Sequence, residues 1–344
     1  MRFPLNWLLE LCPYDGDLDE IADLLTMSGS EVENIEDLSG RFSGVVVGVV
    51  RSVTPDDPLP GMFRGEVDCG ERTIQVLSRA PNIEKGGLYP VAPAGATVFG
   101  GKRIEVTEFE GIRSEGMLCS GAEIGLGGAD KLLRLKPGEP VGEELEKLLR
   151  WNDHSLELEI TPNRPDCYGI LGLARELSAL TGTPLADEYH RPIETGERAS
   201  DIINIDIRDR EGCPRYSARI IEKVSVGPSP LRIMGRLSAS GIRPINNVVD
   251  ATNYAMLLLS HPLHAFDLDR IGSDTIEIRS AEESEKFVTL DGEERRLRGD
   301  HLLIATPKKA LAVAGVMGGE DSEVTEETKR ILLESAYFEP RRIR

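Results

Sequence analysis

The chain has 344 residues, of which 40% are apolar and 29% charged, as in an ordinary soluble globular protein of two or three domains. Its formal net charge of −19 argues against a general nucleic-acid coat, because phosphate binding needs a basic surface. Five cysteines without a CxxC pair argue against a disulfide framework or zinc knuckle and fit a reducing cytoplasm. We find neither an apolar run of the roughly 18 residues that a membrane helix needs nor the pattern of a secretion signal.

The acidic charge is unevenly distributed. Residues 1–40 carry one basic and ten acidic side chains, whereas residues 223–249 carry four basic side chains and no acidic one. Contact with a polyanion is therefore predicted in residues 223–249. The acidity elsewhere is typical of a solvated surface.

The first 40 residues predict a small helical segment. Residues 3–11 and 18–27 have apolar side chains at helical spacing, and Asp15 or Asp17 can cap the second helix. A segment this short cannot build a core of its own, so we expect it to pack against a later part of the chain.

The next stretch is typical of short β-strands. From residue 45, Val- and Ile-rich runs are separated by Gly, Pro and Asp turns about every 8–12 residues. This pattern is typical of a small barrel or sandwich, and five such strands over residues 41–151 favour a barrel of the OB type, an oligonucleotide-binding architecture.

A strand at 156–160 and a helix at 168–180 follow the barrel. Between them lies ITPNRPDC at 160–167, whose polar residues we interpret as a capped turn rather than as catalytic groups. Residues 186–200 are polar, as in a linker, and strands at 203–207 and 216–221 open a new domain.

Three arginines lie in the window without acidic residues. Ser229-Pro230 predicts the start of a helix to about residue 240, on which Arg232 and Arg236 share one face. Arg243 follows directly. Solvated surface residues and phosphate ligands are both compatible with this pattern, and the absence of nearby acidic residues favours phosphate binding.

The most distinctive stretch is GIRPINNVVDATNYAMLLLSHPLHAFD at 241–267. A turn leads into an apolar run that contains Asp250, Thr252 and Asn253, and His261 and His264 follow. One interpretation is a buried helix whose polar residues satisfy the local backbone. The other is a functional site.

Further strands are predicted at 275–279, 287–290 and 302–305, with a hairpin turn at 291–292. The glycines of LAVAGVMGGE at 311–320 allow close backbone approach to a ligand, but the segment lacks the GK[ST] of a phosphate loop. In ILLESAYF at 331–338, Glu334 interrupts an apolar strand. A buried glutamate is costly without a hydrogen-bond donor, so Glu334 needs a structural or ligand partner.

Several of these segments resemble a known family. GIRPINNVVDATNY with HPLHAFD, ITPNRPDC, AGVMGGEDSEV and LLESAYF are similar to motifs of the β subunit of bacterial-type phenylalanyl-tRNA synthetases. The resemblance covers essentially the whole chain and implies a multidomain α+β protein. Its parts would be a small helical domain from 1–40 plus 152–185, an inserted OB-type barrel at 41–151, and a mixed α/β editing domain of the B3/B4 type at 200–344. The resemblance also implies a fragment whose editing domain is truncated at its C-terminus.

The barrel resembles the tRNA-binding OB domain of that family at residues 80–82 and 114–120, with one departure. The family has a loop with a lysine after the first strand, whereas this chain has TPDDPLP at 54–60, including Asp56 and Asp57. Arg79 also stands where a glycine is common. An RNA-binding face and a spacer barrel both remain open, and the acidic loop favours the spacer.

The resemblance implies an editing role, the hydrolysis of tyrosine wrongly attached to tRNA(Phe). A phenylalanine pocket rejects tyrosine only about 10²-fold, so a second site that accepts the hydroxyl is needed. By resemblance, Glu334 would receive that hydroxyl, and the tyrosyl pocket would also be lined by Gly315, Gly318 and Ala314.

The same resemblance places Thr252, Asn253 and His264 near the ester as catalytic candidates, and Arg232, Arg236 and Arg243 on phosphates of the tRNA. His264 would act as a general base or would orient water or the terminal adenosine. His261 would be structural.

The implied partners are tRNA(Phe) and the synthetase α subunit, in an α2β2 heterotetramer for the full-length protein, with no membrane and no metal. The chain itself would hold no cofactor, since ATP and magnesium serve the complete α/β enzyme. We therefore expect ester hydrolysis at most from this chain, and no aminoacylation. The alternative is a non-catalytic module that keeps the fold and binds tRNA or another RNA, or docks on the α subunit.

Overall fold

A computed structural model of the chain describes residues 1–55, 60–186 and 192–344. The acidic loop with Asp56 and Asp57 and part of the predicted linker at 186–200 lie outside the described residues. Within those ranges, no helix combines the length and the apolar character that a membrane crossing requires.

The first half of the described chain contains four helices and ten strands: β1 (Arg2–Pro4), α1 (Leu5–Leu11), α2 (Leu18–Met27), β2 (Ser30–Asp37), β3 (Val46–Pro55), β4 (Phe63–Asp68), β5 (Thr73–Ser78), β6 (Leu88–Pro93), β7 (Thr107–Phe109), β8 (Ile112–Ser114), β9 (Gly116–Leu118), α3 (Leu145–Leu149), β10 (His154–Ile160) and α4 (Ile170–Thr181).

The second half of the described chain adds five helices and ten strands: α5 (Ala199–Ile202), β11 (Asn204–Ile207), β12 (Arg215–Ile221), α6 (Leu231–Ala239), α7 (Asn247–Leu259), β13 (His264–Asp267), α8 (Leu268–Ile271), β14 (Thr275–Ser280), β15 (Lys286–Val288), β16 (Glu294–Arg296), β17 (Leu302–Ala305), β18 (Ala310–Val313), β19 (Met317–Gly318), β20 (Ile331–Tyr337) and α9 (Pro340–Ile343). Single 3-10 turns lie at Ala122–Ile124, Pro165–Tyr168 and Glu320–Ser322.

The chain divides into two compact units, Met1–Glu188 with Pro228–Ser260, and Tyr189–Gly227 with His261–Arg344. In the first unit, the N-terminal segment packs against the stretch after the barrel, through the antiparallel sheet β1-β10-β2 and helices α1, α2 and α4. The shared core includes Leu8, Ile21, Leu156 and Leu173. The short N-terminus thus has the core partner that it requires, in a part of the unit that contains a sheet as well as helices.

The predicted barrel region is an antiparallel sheet in the order β5-β4-β3-β6-β9. The sheet is nearly closed, because the backbone N–H of Glu115 donates to the carbonyl oxygen of Gln75 at 2.8 Å and returns the chain after β8 to β5. Its core includes Val50, Val67 and Tyr89. A nearly closed antiparallel sheet is therefore present where the strand pattern predicts a barrel, and a barrel of the OB type stays a prediction.

Residues 228–260 belong to the first unit, whereas the predicted domain at 200–344 includes them. Helix α6 packs Leu231 and Met234 against a core that contains Trp151. The indole N–H of Trp151 donates to the carbonyl oxygen of Gly235 at 3.1 Å. The periodicity of α6 predicts an apolar face, but not which core receives that face. The compact units therefore differ from the predicted domains at residues 228–260, and the domain bounds stay a prediction.

The second unit contains two larger sheets and a hairpin. Strands β11-β14-β17-β18-β19 form a mixed sheet in which only β11 and β14 pair in parallel. Strands β12-β20-β13 form an antiparallel sheet with β20 in the centre, and β15 pairs with β16. One core, which includes Phe266, Ile278, Leu311 and Leu332, joins the two larger sheets.

Gly235→Ala is predicted to destabilise the first unit. A Cβ at this position would overlap the backbone carbonyl of Leu149, which cannot move as a side chain can. Overpacking costs about 1–3 kcal/mol, which exceeds the gain of up to about 1 kcal/mol from alanine in a helix. Urea unfolding followed by tryptophan fluorescence measures this unit, because Trp7 and Trp151 are both buried in it.

The control is Gly227→Ala, since a Cβ at Gly227 meets no atom within 4 Å. An unchanged urea midpoint for Gly235→Ala would contradict the predicted close approach of α6 to Leu149.

Candidate functional site

Glu334 lies in the centre of the sheet β12-β20-β13. It pairs with Ala218 on one side and with His264 on the other. Directly opposite residues of an antiparallel pair point to the same face, with Cβ atoms about 4.5–5.5 Å apart. Tyr216 pairs with Ala336, two residues beyond Glu334, and lies on the same face. The ladder therefore brings Glu334, His264 and Tyr216 together.

The carboxyl group of Glu334 is buried and incompletely hydrogen-bonded. The residue is 6% exposed, and its Oε2 has no hydrogen-bond partner among the described residues. Burial raises the pKa of Glu334 to about 8, because the charged form loses its hydration. The group is therefore mainly protonated at neutral pH.

Tyr216 is the second buried polar group on this face. Its hydroxyl is close enough to Glu334 to lower the pKa of the carboxyl against the larger effect of burial. The two side chains are nevertheless not aligned for a hydrogen bond: Tyr216 Oη, like Glu334 Oε2, has no hydrogen-bond partner within the described part of the chain. Burial, followed by the nearby Glu334, raises the pKa of Tyr216 well above its usual value. The tyrosine hydroxyl therefore keeps its proton.

The imidazole of His264 contacts a glycine backbone. A Cβ at Gly318 would lie 2.9 Å from Cε1 and 3.0 Å from Nε2 of His264, so the ring occupies the space above that glycine. Phe266 meets the ring edge-on, with centroids 4.5 Å apart. Burial lowers the pKa of His264 to about 4, so the ring is neutral at physiological pH.

The predicted pocket residues Ala314, Gly315 and Gly318 lie in and after the turn from β18 to β19. Gly315 has a φ of +66°, which favours glycine, and a Cβ there would come within 3.2 Å of Ile343. Ala314 is buried in the core of the second unit. Of the three, Gly318 contacts a predicted catalytic residue, His264.

Thr252 and Asn253 belong to α7, which lies in the first unit, whereas Glu334 and His264 lie in the second. The Thr252 hydroxyl donates to the carbonyl oxygen of Val249 at 2.7 Å. Asp250 is fully buried and accepts hydrogen bonds from the Ile245 N–H at 2.8 Å and the Ser229 hydroxyl at 2.5 Å. The polar groups of Asp250 and Thr252 thus satisfy local structure, and the catalytic role of Thr252 and Asn253 stays a prediction.

The three arginines differ in their surroundings. Arg236 has a side chain that is only 7% exposed, pairs with Glu10 and donates to the Tyr254 hydroxyl at 2.6 Å. Its guanidinium lies 4.8 Å from the centroid of the Trp7 ring. Arg236 is therefore engaged in packing, and the phosphate contacts of Arg232, Arg236 and Arg243 stay predictions.

Arg232 also pairs with Glu10, but its side chain is 44% exposed. Arg243 is exposed, with its alkyl chain beside Gly127. These two guanidinium groups remain candidates for a polyanion. Across residues 1–55, 60–186 and 192–344, no cluster of three or more His, Cys, Asp or Glu side chains is arranged to hold a metal ion.

The raised pKa of Glu334 predicts a pH-dependent stability. Unfolding restores the usual pKa of 4.5, so between about pH 4.5 and 8 the folded state binds the extra proton and stability falls as pH rises. This group alone contributes a slope of at most about 1.4 kcal/mol per pH unit. Glu334→Gln, which is neutral at every pH, should remove that slope. Urea unfolding followed by circular dichroism at pH 5.5 and 8 measures it.

The control is Glu326→Gln, since Glu326 is an exposed glutamate of the same unit. The prediction fails if Glu334→Gln and wild type lose stability equally between the two pH values.

Comparison with known proteins gives an independent view of the chain. A model of the B3/4 domain matches residues 212–344. The β subunit of phenylalanine–tRNA ligase from Carboxydothermus hydrogenoformans is 43% identical over 351 residues, a match that covers all of this chain and 43% of that protein. The corresponding subunit from Moorella thermoacetica is 42% identical and is covered to 44%, again with all of this chain. The chain thus spans less than half the length of these curated relatives.

Among solved structures, an N-terminal fragment of the phenylalanyl-tRNA synthetase β subunit from Pyrococcus horikoshii matches 58% of this chain and 67% of its own. Its TM-score is 0.33 and its identity 16%, a likeness too weak to support an argument about fold or function. The sequence matches confirm the predicted resemblance: all 344 residues of the chain align with under half the length of phenylalanine–tRNA ligase β subunits, and residues 212–344 match a B3/4 domain.

Proposed function

We propose that this chain hydrolyses tyrosine from wrongly charged tRNA(Phe), as the editing part of a phenylalanine–tRNA ligase β subunit. The observation that carries the proposal is the buried Glu334 carboxyl group, which lacks a hydrogen-bond partner at Oε2 and lies beside a neutral imidazole. Natural proteins satisfy nearly all buried polar groups, so an unsatisfied one indicates a ligand or a bound water.

The Glu334 carboxyl group suits the phenolic hydroxyl of tyrosine. In either protonation state the carboxyl group can accept a hydrogen bond from the tyrosine hydroxyl, and the protonated form can also donate one to the phenol oxygen. A phenylalanyl side chain in the same position would leave the carboxyl unsatisfied. Sites built to hydrogen-bond a hydroxyl reject the analogue without it by roughly 10⁴-fold or more.

His264 and Gly318 are assigned to the ester end of the substrate. With a pKa of about 4, the imidazole is neutral but too weakly basic to be an efficient proton acceptor near pH 7. We therefore assign His264 to orienting the attacking water or the terminal adenosine. Thr252 and Asn253 remain candidate ester groups on the strength of the resemblance alone.

The partners proposed for the chain are those of the family: tRNA(Phe) and the ligase α subunit, in an α2β2 heterotetramer in the cytoplasm. Aminoacylation, with its ATP and magnesium, is assigned to the complete α/β enzyme and not to this chain. The nearly closed sheet at 41–151 is proposed as an OB-type domain, and its contribution to tRNA binding is expected to be small.

The alternative function is a binding module that holds the tyrosyl group without hydrolysing it. One observation favours it: the described contacts of the His264 ring are with Gly318 and Phe266, and neither residue can orient the ring as a hydrogen-bonded carboxylate does. Catalytic histidines usually have an orienting partner. Tyrosyl-tRNA(Phe) that is bound but never deacylated would support the module.

Glu334→Ala is predicted to lose most of the selectivity for tyrosyl over phenylalanyl esters, by about 100-fold or more, because the group that recognises the hydroxyl is removed. Glu334→Gln keeps the size of the side chain and a carbonyl oxygen that accepts a hydrogen bond, so this variant should lose only part of the selectivity. His264→Ala should slow both reactions without changing the selectivity. The measurement is kcat/KM for deacylation of tyrosyl- and phenylalanyl-tRNA(Phe) by the assembled α/β enzyme.

The control is Glu326→Gln, on an exposed site of the same unit. Unchanged selectivity in a folded Glu334→Ala enzyme would contradict the proposal and show that Glu334 has a purely structural role.

Arg232→Ala together with Arg243→Ala is predicted to weaken tRNA(Phe) binding. Each lost phosphate contact should flatten the slope of log K against log salt concentration by roughly 0.7–0.9. Arg298→Ala is the matched control, since it removes one exposed guanidinium paired with Asp300. Filter binding of tRNA(Phe) to the wild type and both variants, over a range of salt concentrations, measures this slope. An intact slope in the double variant would place the tRNA contact elsewhere.

A further inference from the structure

Two buried polar atoms of the second unit are unsatisfied on the same sheet face, and only one of them has a role in the proposed function. Glu334 Oε2 is the first and Tyr216 Oη is the second. Their residues are 6% and 8% exposed, so bulk water does not satisfy either group. An unsatisfied buried donor or acceptor carries a full desolvation penalty, which makes two neighbouring ones unusual in a native core.

The strand register explains why the two groups face each other. Tyr216 on β12 pairs with Ala336, and Glu334 on β20 pairs with Ala218. The two residues are therefore diagonal neighbours across one antiparallel pair, within reach of each other's long side chains. The small side chains of Ala218 and Ala336 occupy the remaining two positions of this group of four.

The surroundings offer no other described partner. Cys213 also lies near Tyr216 and Glu334, but its thiol donates to the carbonyl oxygen of Arg215 at 3.4 Å. On the other side of β20, His264 contacts Gly318 and Phe266. Glu334 Oε2 and Tyr216 Oη can therefore bond to each other after a small adjustment, or both can bond to a ligand between them.

We propose that Tyr216 is a specificity-determining residue, whose hydroxyl donates a hydrogen bond to the oxygen of the substrate hydroxyl while Glu334 accepts a hydrogen bond from that hydroxyl. This inference rests on the proposed function and adds the second half of the recognition. A carboxylate can only accept hydrogen bonds, whereas a phenol both donates and accepts. Tyr216 therefore supplies a donor for the substrate oxygen whether Glu334 is protonated or ionised.

The arrangement sharpens discrimination against phenylalanine. The phenol group of a tyrosyl substrate would hydrogen-bond to both Glu334 Oε2 and Tyr216 Oη, whereas the phenyl ring of a phenylalanyl substrate would leave both atoms without a partner. Loss of one neutral hydrogen bond changes an equilibrium by roughly 2- to 12-fold. Tyr216→Phe should therefore lower the selectivity for tyrosyl over phenylalanyl esters by roughly fivefold to tenfold, a smaller loss than Glu334→Ala causes.

The experiment measures kcat/KM for deacylation of tyrosyl- and phenylalanyl-tRNA(Phe) by the assembled α/β enzyme carrying Tyr216→Phe. Tyr337→Phe is the matched control, because it removes the hydroxyl of an exposed tyrosine at the end of β20. Thermal unfolding of each variant measures any purely structural effect. Glu334→Ala is measured in parallel.

A selective loss with the tyrosyl substrate in Tyr216→Phe, absent from Tyr337→Phe, supports the proposal. An equal change with both substrates, or none, overturns it and leaves Tyr216 as a core residue bonded to trapped water. If Glu334→Ala also keeps its selectivity, the proposed function itself has failed. Should Tyr216→Phe not fold, 3-fluorotyrosine at position 216 keeps the size and strengthens the donor. Selectivity should then hold or rise, and a fall overturns the proposal.

Discussion

The burial of one carboxyl group in the middle of a sheet is the constraint on which the candidate site depends. Strand β20 is flanked on both sides, by β12 and β13, so its register is fixed along both edges. Leu332, Glu334 and Ala336 form its buried face, because the alternation of the strand turns these side chains away from its more exposed face. The protein therefore keeps a protonated acid in a position where an apolar residue would be more stable.

Other buried polar groups of the chain make the contrast clear. Arg236 is paired with Glu10 and hydrogen-bonded to Tyr254, and Asp250 accepts from Ser229 and Ile245. Both groups fasten helices of the first unit and have the partners that a structural role requires. Glu334 Oε2 has no such partner among the described residues. Arg236, Asp250 and Glu334 are all buried, and of these three Glu334 is the one with an oxygen that lacks a hydrogen-bond partner among the described residues.

Local features of the fold are predictable from the sequence, and long-range ones are not. Helix α2 begins and ends where its spacing indicates, with Asp17 as the cap, because these signals lie within a few residues. Glu334 can be singled out since it interrupts an apolar run. Tyr216 cannot, because its strand has an ordinary pattern and only the pairing with β20 brings it beside Glu334. The packing of Arg236 on Trp7 likewise joins distant segments, so its charge alone suggested a phosphate ligand.

The electrostatics of the site follow from its burial and bear on what it can bind. The chain is strongly acidic, yet at pH 7 Glu334 is mainly protonated and His264 is neutral. An uncharged site holds water less firmly than a carboxylate does, so an aromatic guest displaces little strongly bound solvent. If the site binds an aromatic side chain as proposed, one hydroxyl group on that side chain decides the affinity, because hydrogen bonds are the polar interactions left to form. In the proposed function, the stability lost by burying Glu334 is thus the physical basis for distinguishing two side chains that differ by one oxygen atom.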